Sequence, residues 1–192
     1  MSDGEIMGKL HICNAFFEAE VAGQKTASLV EMFKKHPIYT QLQYLPLLYA
    51  DPRDQLLVTD PLPKDYLFPF SNMPTVHIFD EPILKGTRVE SWAPSLLIEK
   101  FAKERRLIYE MPPWDLVQQL SSKRFSHSLC PFPGSELLEA PCDLSRFKGL
   151  WVFKSLYESA GRGLAFSTDS HLGQFAKREW GKGNALLAEP WC

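Results

Sequence analysis

No apolar run in the 192-residue chain approaches the roughly 18 residues needed to cross a bilayer. The opening MSDGEIMGKLHIC has no basic segment followed by an apolar one, so it does not read as a secretory signal. The four cysteines, Cys13, Cys130, Cys142 and Cys192, form no CxxC unit. Their wide spacing speaks against a zinc site or a disulfide framework and leaves reduced thiols in a cytoplasmic protein as the expectation. A formal net charge of -2 provides no general attraction for nucleic acid or an anionic membrane, so neither is an expected partner. The GxxxxGK[ST], HExxH and GxSxG patterns are all absent. The five histidines have no metal-ligand spacing, although His127, near Lys123 and Arg124, could line a polar pocket or simply be structural.

What is present points to a folded α/β chain. Hydrophobic residues make up 45% and charged residues 23%, enough for one good core or two small domains. With 12% aromatics and 15 prolines, large packing units alternate with stiff turns, which predicts α/β or α+β architecture with long ordered connections. Leu10–Cys13 predicts a buried strand, with Asn14 at its end either approaching a ligand or capping a turn. Ser28 and Glu31 have capping-box spacing for a helix over 28–35, stopped by His36 and Pro37. Strands are predicted at Tyr44–Ala50, Leu56–Val58 and Val76–Phe79. Asp51 and Asp54 lie in the turn before the second of these, as turn formers or as a carboxylate pair for a metal. Pro61, Pro63 and Pro69 predict an ordered loop. A helix follows from Pro94 to about Lys103, then a short strand at Leu107–Tyr109 and a short helix at Trp114–Leu120.

SSKRFSHS then predicts either a surface turn or a phosphate-facing segment through Lys123 and Arg124. The proline-rich stretch Cys130–Arg146 reads as a connection, which puts a domain boundary near Ser128 and gives units of 9–128 and 129–192. In the second unit, Trp151–Phe153 and Leu164–Phe166 predict a hairpin around a glycine-rich turn. Such glycines can be ordinary turn residues. They can also let backbone N–H groups surround an anion, with Lys154 and Arg162 supplying charge. A helix over His171–Trp180 and a strand at Ala185–Ala188 complete the unit.

Ser122-Lys123-Arg124, Trp151–Lys154, Ser159–Gly163 and Leu187-Ala188-Glu189-Pro190, in that order, resemble the ATP-grasp superfamily. The match is nearer to an uncharacterised bacterial ATP-grasp group with a preATP-grasp front part. The second half carries the resemblance, while the first 120 residues match chiefly in organisation. The implied fold is a preATP-grasp-like mixed α/β unit followed by a small α+β subdomain with a glycine-loop hairpin.

The resemblance implies a clamp for adenine nucleotide. Lys154 would reach the α and β phosphates, and Ser159, Ala160, Gly161, Arg162 and Gly163 would form the loop over them. Lys123 or Arg124 would be the further upstream cation. Glu189, Pro190 and Cys192 would lie along adenine, with the Pro190 carbonyl accepting from its exocyclic amine and the Cys192 N–H donating two positions later. In ATP-grasp ligases a second lobe carries the Mg²⁺ ligands and much of the acceptor site. ATP-dependent ligation of a carboxylate to an amine or thiol, with Mg²⁺, is therefore implied only if that lobe comes from a longer chain or a protein partner. The alternative class is a noncatalytic interaction or regulatory domain that keeps the outline of the fold.

Overall fold

The computed structural model describes residues 8–23, 27–63, 72–158 and 162–191. It divides into two compact units, Met1–Glu20 with Lys25–Trp114, and Val21–Gln24 with Asp115–Cys192. The division after Trp114 lies ahead of the boundary expected near Ser128.

The first unit is built on a parallel four-stranded sheet. In chain order its elements are β1 (Leu10–Ile12), α1 (Phe17–Val21), α2 (Leu29–Lys34), α3 (Pro37–Leu42), β2 (Gln55–Val58), β3 (Thr75–Ile78), β4 (Val89–Ser91) and α4 (Leu96–Arg105). The spatial order is β3-β2-β1-β4, with Leu10 opposite Gln55 on one side and Val89 on the other. A parallel sheet needs both faces covered, and the short strands supply apolar residues to each. Leu10, Ile12 and Leu57 pack with Phe33 of α2 and Ile98 and Phe101 of α4. Leu56 and Val58 meet Leu47 on the opposite face. Edge-on aromatic contacts lock the larger core, with Phe16 and Phe33 centred 5.1 Å apart and Phe79 and Phe101 5.4 Å apart.

Local capping follows the sequence closely at α2. Ser28 Oγ accepts the Glu31 N–H at 3.1 Å, and the Glu31 carboxylate accepts the Ala27 N–H at 2.9 Å. His36 does end that helix, but it also caps the next one, accepting the Ile38 N–H at Nδ1 with Pro37 in the first turn. The strand expected at Tyr44–Ala50 is instead a 3-10 turn over Leu45–Leu48. Pro46 cannot donate to a ladder, and its carbonyl is taken by the N–H groups of Tyr49 and Ala50. Leu107–Tyr109 contributes a single bridge, Arg88 to Ile108, rather than a strand. Pro69 falls outside the described residues.

The second unit contains most of α5 (Trp114–Ser121), then α6 (Lys123–Leu129), β5 (Glu136–Leu138), β6 (Trp151–Ser155), β7 (Leu164–Phe166), α7 (Leu172–Gly181) and β8 (Leu186–Pro190). Its antiparallel sheet runs β5-β8-β6-β7. SSKRFSHS forms a helix rather than a turn, because Ser122 Oγ accepts the Arg124 N–H at 3.2 Å and opens α6. The Lys123 N–H donates to Leu156 O at 2.9 Å, which ties the start of α6 to the end of β6. β5 arises within the expected connection by pairing Leu137 with Leu187.

The β6–β7 hairpin forms as expected, with Phe153 opposite Ala165 and Lys154 opposite Leu164. Strand alternation sends Phe153, Ala165, Leu186 and Ala188 into a core with Leu172, Phe175 and Ala176 of α7. Full burial of a side chain such as Phe153 is worth about 1.5–3 kcal/mol. Lys154, Leu187 and Glu189 occupy the alternate positions and the opposite face.

Candidate functional site

The face opposite α7 brings together charged groups that the sequence places far apart. Lys154 pairs with Leu187 in the ladder and Val152 with Glu189, so Lys154 and Glu189 are diagonal neighbours on one face. The Lys154 ammonium donates to the Glu189 carboxylate, and their side chains retain 29% and 20% of their exposure. A half-buried lysine beside a strand carboxylate is held in one place rather than sweeping through solvent.

Lys123 sits at the first turn of α6. Its ammonium donates to Ser155 O at 2.9 Å and also to Glu158 O, bridging two carbonyls at the exit of β6. Arg124 is directed elsewhere, to Glu139, with the second of its two contacts at 2.7 Å. That pair is well exposed, so screening leaves it worth little. Of the two upstream cations, only Lys123 reaches the hairpin base.

Gly163 closes the hairpin on its return side. Its φ of +59° favours glycine, and its carbonyl accepts the Ser155 N–H at 2.7 Å. A Cβ there would run into Ser155 Oγ and the Glu158 carboxylate. Ser155 is buried, and its hydroxyl has no hydrogen-bond partner among the described residues. Arg162 is exposed beside it. Ser159, Ala160, Gly161 and Cys192 lie outside the described residues. Pro190 ends β8 opposite Trp151. Trp191 follows, exposed and edge-on to Phe166 at 5.3 Å.

Against the Glu189 side of this face lies a cavity of about 150 Å³ lined by Lys123, Ser126, His127, Cys130, Phe132, Leu187 and Glu189. His127 Nδ1 is 3.2 Å from Ser135 Oγ, which fixes the ring against the wall. The cavity is smaller than the roughly 300 Å³ at which small-molecule pockets begin, so it can hold a ring but not a whole nucleotide. Cys130, Phe132 and Leu187 were not anticipated as lining residues. A signal for the α6 side existed: positions 123, 126, 127 and 130 have the i, i+3, i+4, i+7 spacing of one helical face.

The other sequence candidates resolve into structural roles. Asn14 is fully buried, donating to Ala93 O at 2.9 Å and accepting the Ala93 N–H at 3.0 Å, so it joins the ends of β1 and β4. Asp51 faces Arg53 at 2.9 Å, whose hydrogen bonds hold its carboxyl down at about 2. Asp54 meets His11 Nε2 at 2.8 Å and accepts the Lys9 N–H at 2.8 Å. Burial pushes the Asp54 carboxyl upward, but these hydrogen bonds and those from Asp51 outweigh it and leave it below the ordinary value.

Two further buried titratable groups lie in the first unit, of which Glu20 escaped the sequence reading. Glu20 accepts from Ser95 Oγ at 2.7 Å and from the Leu97 N–H at 3.0 Å, placing a carboxylate on the first turn of α4. Burial nevertheless pushes its carboxyl above the ordinary value. Burial also pushes the Cys13 thiol up to about 11, making it a poor nucleophile.

No group of three or more His, Cys, Asp or Glu among the described residues is placed to hold a metal ion. Comparison with protein families, curated proteins and solved structures found no match to this chain.

Proposed function

We propose that the second unit binds adenine nucleotide on the sheet face that carries Lys154. The observation that carries this reading is the half-buried Lys154–Glu189 pair beside a hairpin base with no room for a side chain at Gly163. A lysine fixed on a strand can exchange its carboxylate partner for phosphate oxygens at little conformational cost, because its stem is already ordered. Glu189, once released, becomes an acceptor for an exocyclic amine or a ribose hydroxyl. The cavity lined by Leu187, Phe132 and His127 offers apolar walls to a heteroaromatic ring. Lys123 serves this site by bracing the hairpin base through Ser155 and Glu158, with Ser159–Gly163 covering the phosphates.

In this proposal the chain supplies the front half of an ATP-grasp-type clamp. Ligation of a carboxylate to an amine or thiol belongs to an assembly that also contains the Mg²⁺-binding lobe, carried by a longer chain or a partner. Lys154 and the hairpin orient the triphosphate.

Calorimetric titration with ATP tests the reading directly. Binding should weaken about tenfold or more in Lys154→Ala, the scale of one lost charge-assisted contact. Glu189→Gln, which leaves Lys154 without its competing anion, should bind ATP at least as tightly as the parent chain. Equal affinity in the parent and Lys154→Ala chains, each shown folded by circular dichroism, would remove this site.

A further inference from the structure

A second polar cleft lies on the α7 side of the same hairpin. It has a volume of about 400 Å³ and is lined by Gly163, Leu164, His171, Gln174, Phe175 and Arg178. α7 packs on the sheet face that carries Phe153 and Ala165, whereas Lys154 projects from the other. The cleft thus lies on the α7 side and meets the face proposed to bind nucleotide only at the hairpin edge, through Gly163 and Leu164.

Its lining is rich in donors and contains no carboxylate. His171, Gln174 and Arg178 follow one another at intervals of three and four residues, so they line one side of α7 on successive turns. Arg178 is held from behind: its Nε donates to Glu179 Oε1 at 3.1 Å, and its guanidinium lies 5.3 Å from the Phe175 ring centre. Its terminal Nη groups make no hydrogen bond among the described residues, and neither does the Gln174 carboxamide. His171 Nε2 is 3.9 Å from the nearest Asp169 oxygen, beyond hydrogen-bond distance.

The charge behind the cleft is also uneven. Glu179 is buried and shared between Arg178 and Lys182, both at 3.1 Å, with Asn184 at 3.3 Å. Burial alone would raise its carboxyl, but these partners lower it, so one carboxylate faces two cations. Arg178 lines the open cleft, where a planar fork of donors suits a tetrahedral oxyanion.

We propose that this cleft binds a phosphate-type oxyanion, held by Arg178 with Gln174 and His171 and bridging α7 to the return strand of the hairpin. The oxyanion is a free phosphate or a phosphomonoester. Occupancy links Gly163 to α7 and so restrains the hairpin from the side away from Lys154. The site does not depend on the nucleotide reading.

The test is a ¹H–¹⁵N titration of the full chain with inorganic phosphate and, in parallel, glycerol phosphate, with sodium chloride holding ionic strength constant. Saturable shifts at the Gln174 side-chain amide and the Gly163 amide are expected. Arg178→Gln should weaken binding about tenfold. Gln174→Glu should weaken it similarly by placing a like charge in the cleft, at an exposed side chain that makes no hydrogen bond among the described residues. Lys154→Ala should bind as the parent does. Tighter binding of the ester identifies a phosphomonoester, and equal binding identifies free phosphate. The proposal is overturned by an absence of saturable shifts, by parent-like affinity in both Arg178→Gln and Gln174→Glu, or by loss of binding in Lys154→Ala, which would assign the anion to the Lys154 face.

Discussion

Replacing Gly163 by alanine tests whether the base of the hairpin is as tight as its geometry indicates. Two costs add. A residue with a Cβ at φ +59° pays about 1–2 kcal/mol for the left-handed conformation. The new methyl also meets Ser155 Oγ, on a buried strand residue, and the end of the Glu158 side chain. Glu158 can swing away cheaply, but Ser155 must move within the sheet, at a cost on the order of 1–3 kcal/mol for overpacking. The expected loss is about 2–5 kcal/mol, measured by urea unfolding and by amide exchange in β6 and β7. Ser155→Ala provides the internal control. It removes an unpartnered buried hydroxyl, so alone it should be neutral or stabilising, and it should recover part of the Gly163→Ala loss. A loss below about 0.5 kcal/mol for Gly163→Ala, or an unchanged loss in the Ser155→Ala background, would refute this account of the hairpin base.

Two further outcomes follow from buried titratable groups in the first unit. The Glu20 carboxyl is raised in the folded state, so its stabilising contribution is complete below about pH 4.3, the ordinary glutamate value, and is lost as pH rises through the folded pKa. Glu20→Gln should flatten that part of a stability curve recorded from pH 4 to 7, and an identical slope in both chains would show that Glu20 is not the source. Cys13, buried and raised to about 11, should resist an aromatic disulfide reagent at pH 8 in the native chain, while exposed Cys130 reacts at once. Modification of Cys13 at the same rate as Cys130, read by peptide mass mapping, would contradict the burial.

Local signals in the sequence were sufficient where the element carries its own start and stop. Ser28 with Glu31 marked α2, and the apolar run at 151–153 with its return at 164–166 marked the β6–β7 hairpin. The same logic failed where a residue's neighbours in space decide. Tyr44–Ala50 has strand-like apolar content, but Pro46 lacks an N–H and a 3-10 turn satisfies the backbone instead. β4 and β5 are three residues each and owe their existence to pairing with β1 and β8. Such short strands have no period of their own to detect. The Ser122 cap was visible as a residue type, yet four serines and two cations in SSKRFSHS read equally well as a turn.

The candidate site divides along similar lines. Lys154 and the hairpin glycine were legible from local strand and turn chemistry, whereas Glu189 entered only through the family resemblance. That Lys154 meets Glu189, that Lys123 braces carbonyls at 155 and 158, and that Arg124 turns to Glu139 depend on contacts across 35, 32, 35 and 15 residues. By itself the sequence determined two α/β-type units, the hairpin and the residue types at its base, because strand alternation, capping and glycine's freedom act over a few bonds. Only the tertiary structure decided which cations share a face, which carboxylates they meet, and that a donor-lined cleft opens behind the hairpin. Those outcomes rest on strand register and helix packing, which bring together side chains that no local rule connects.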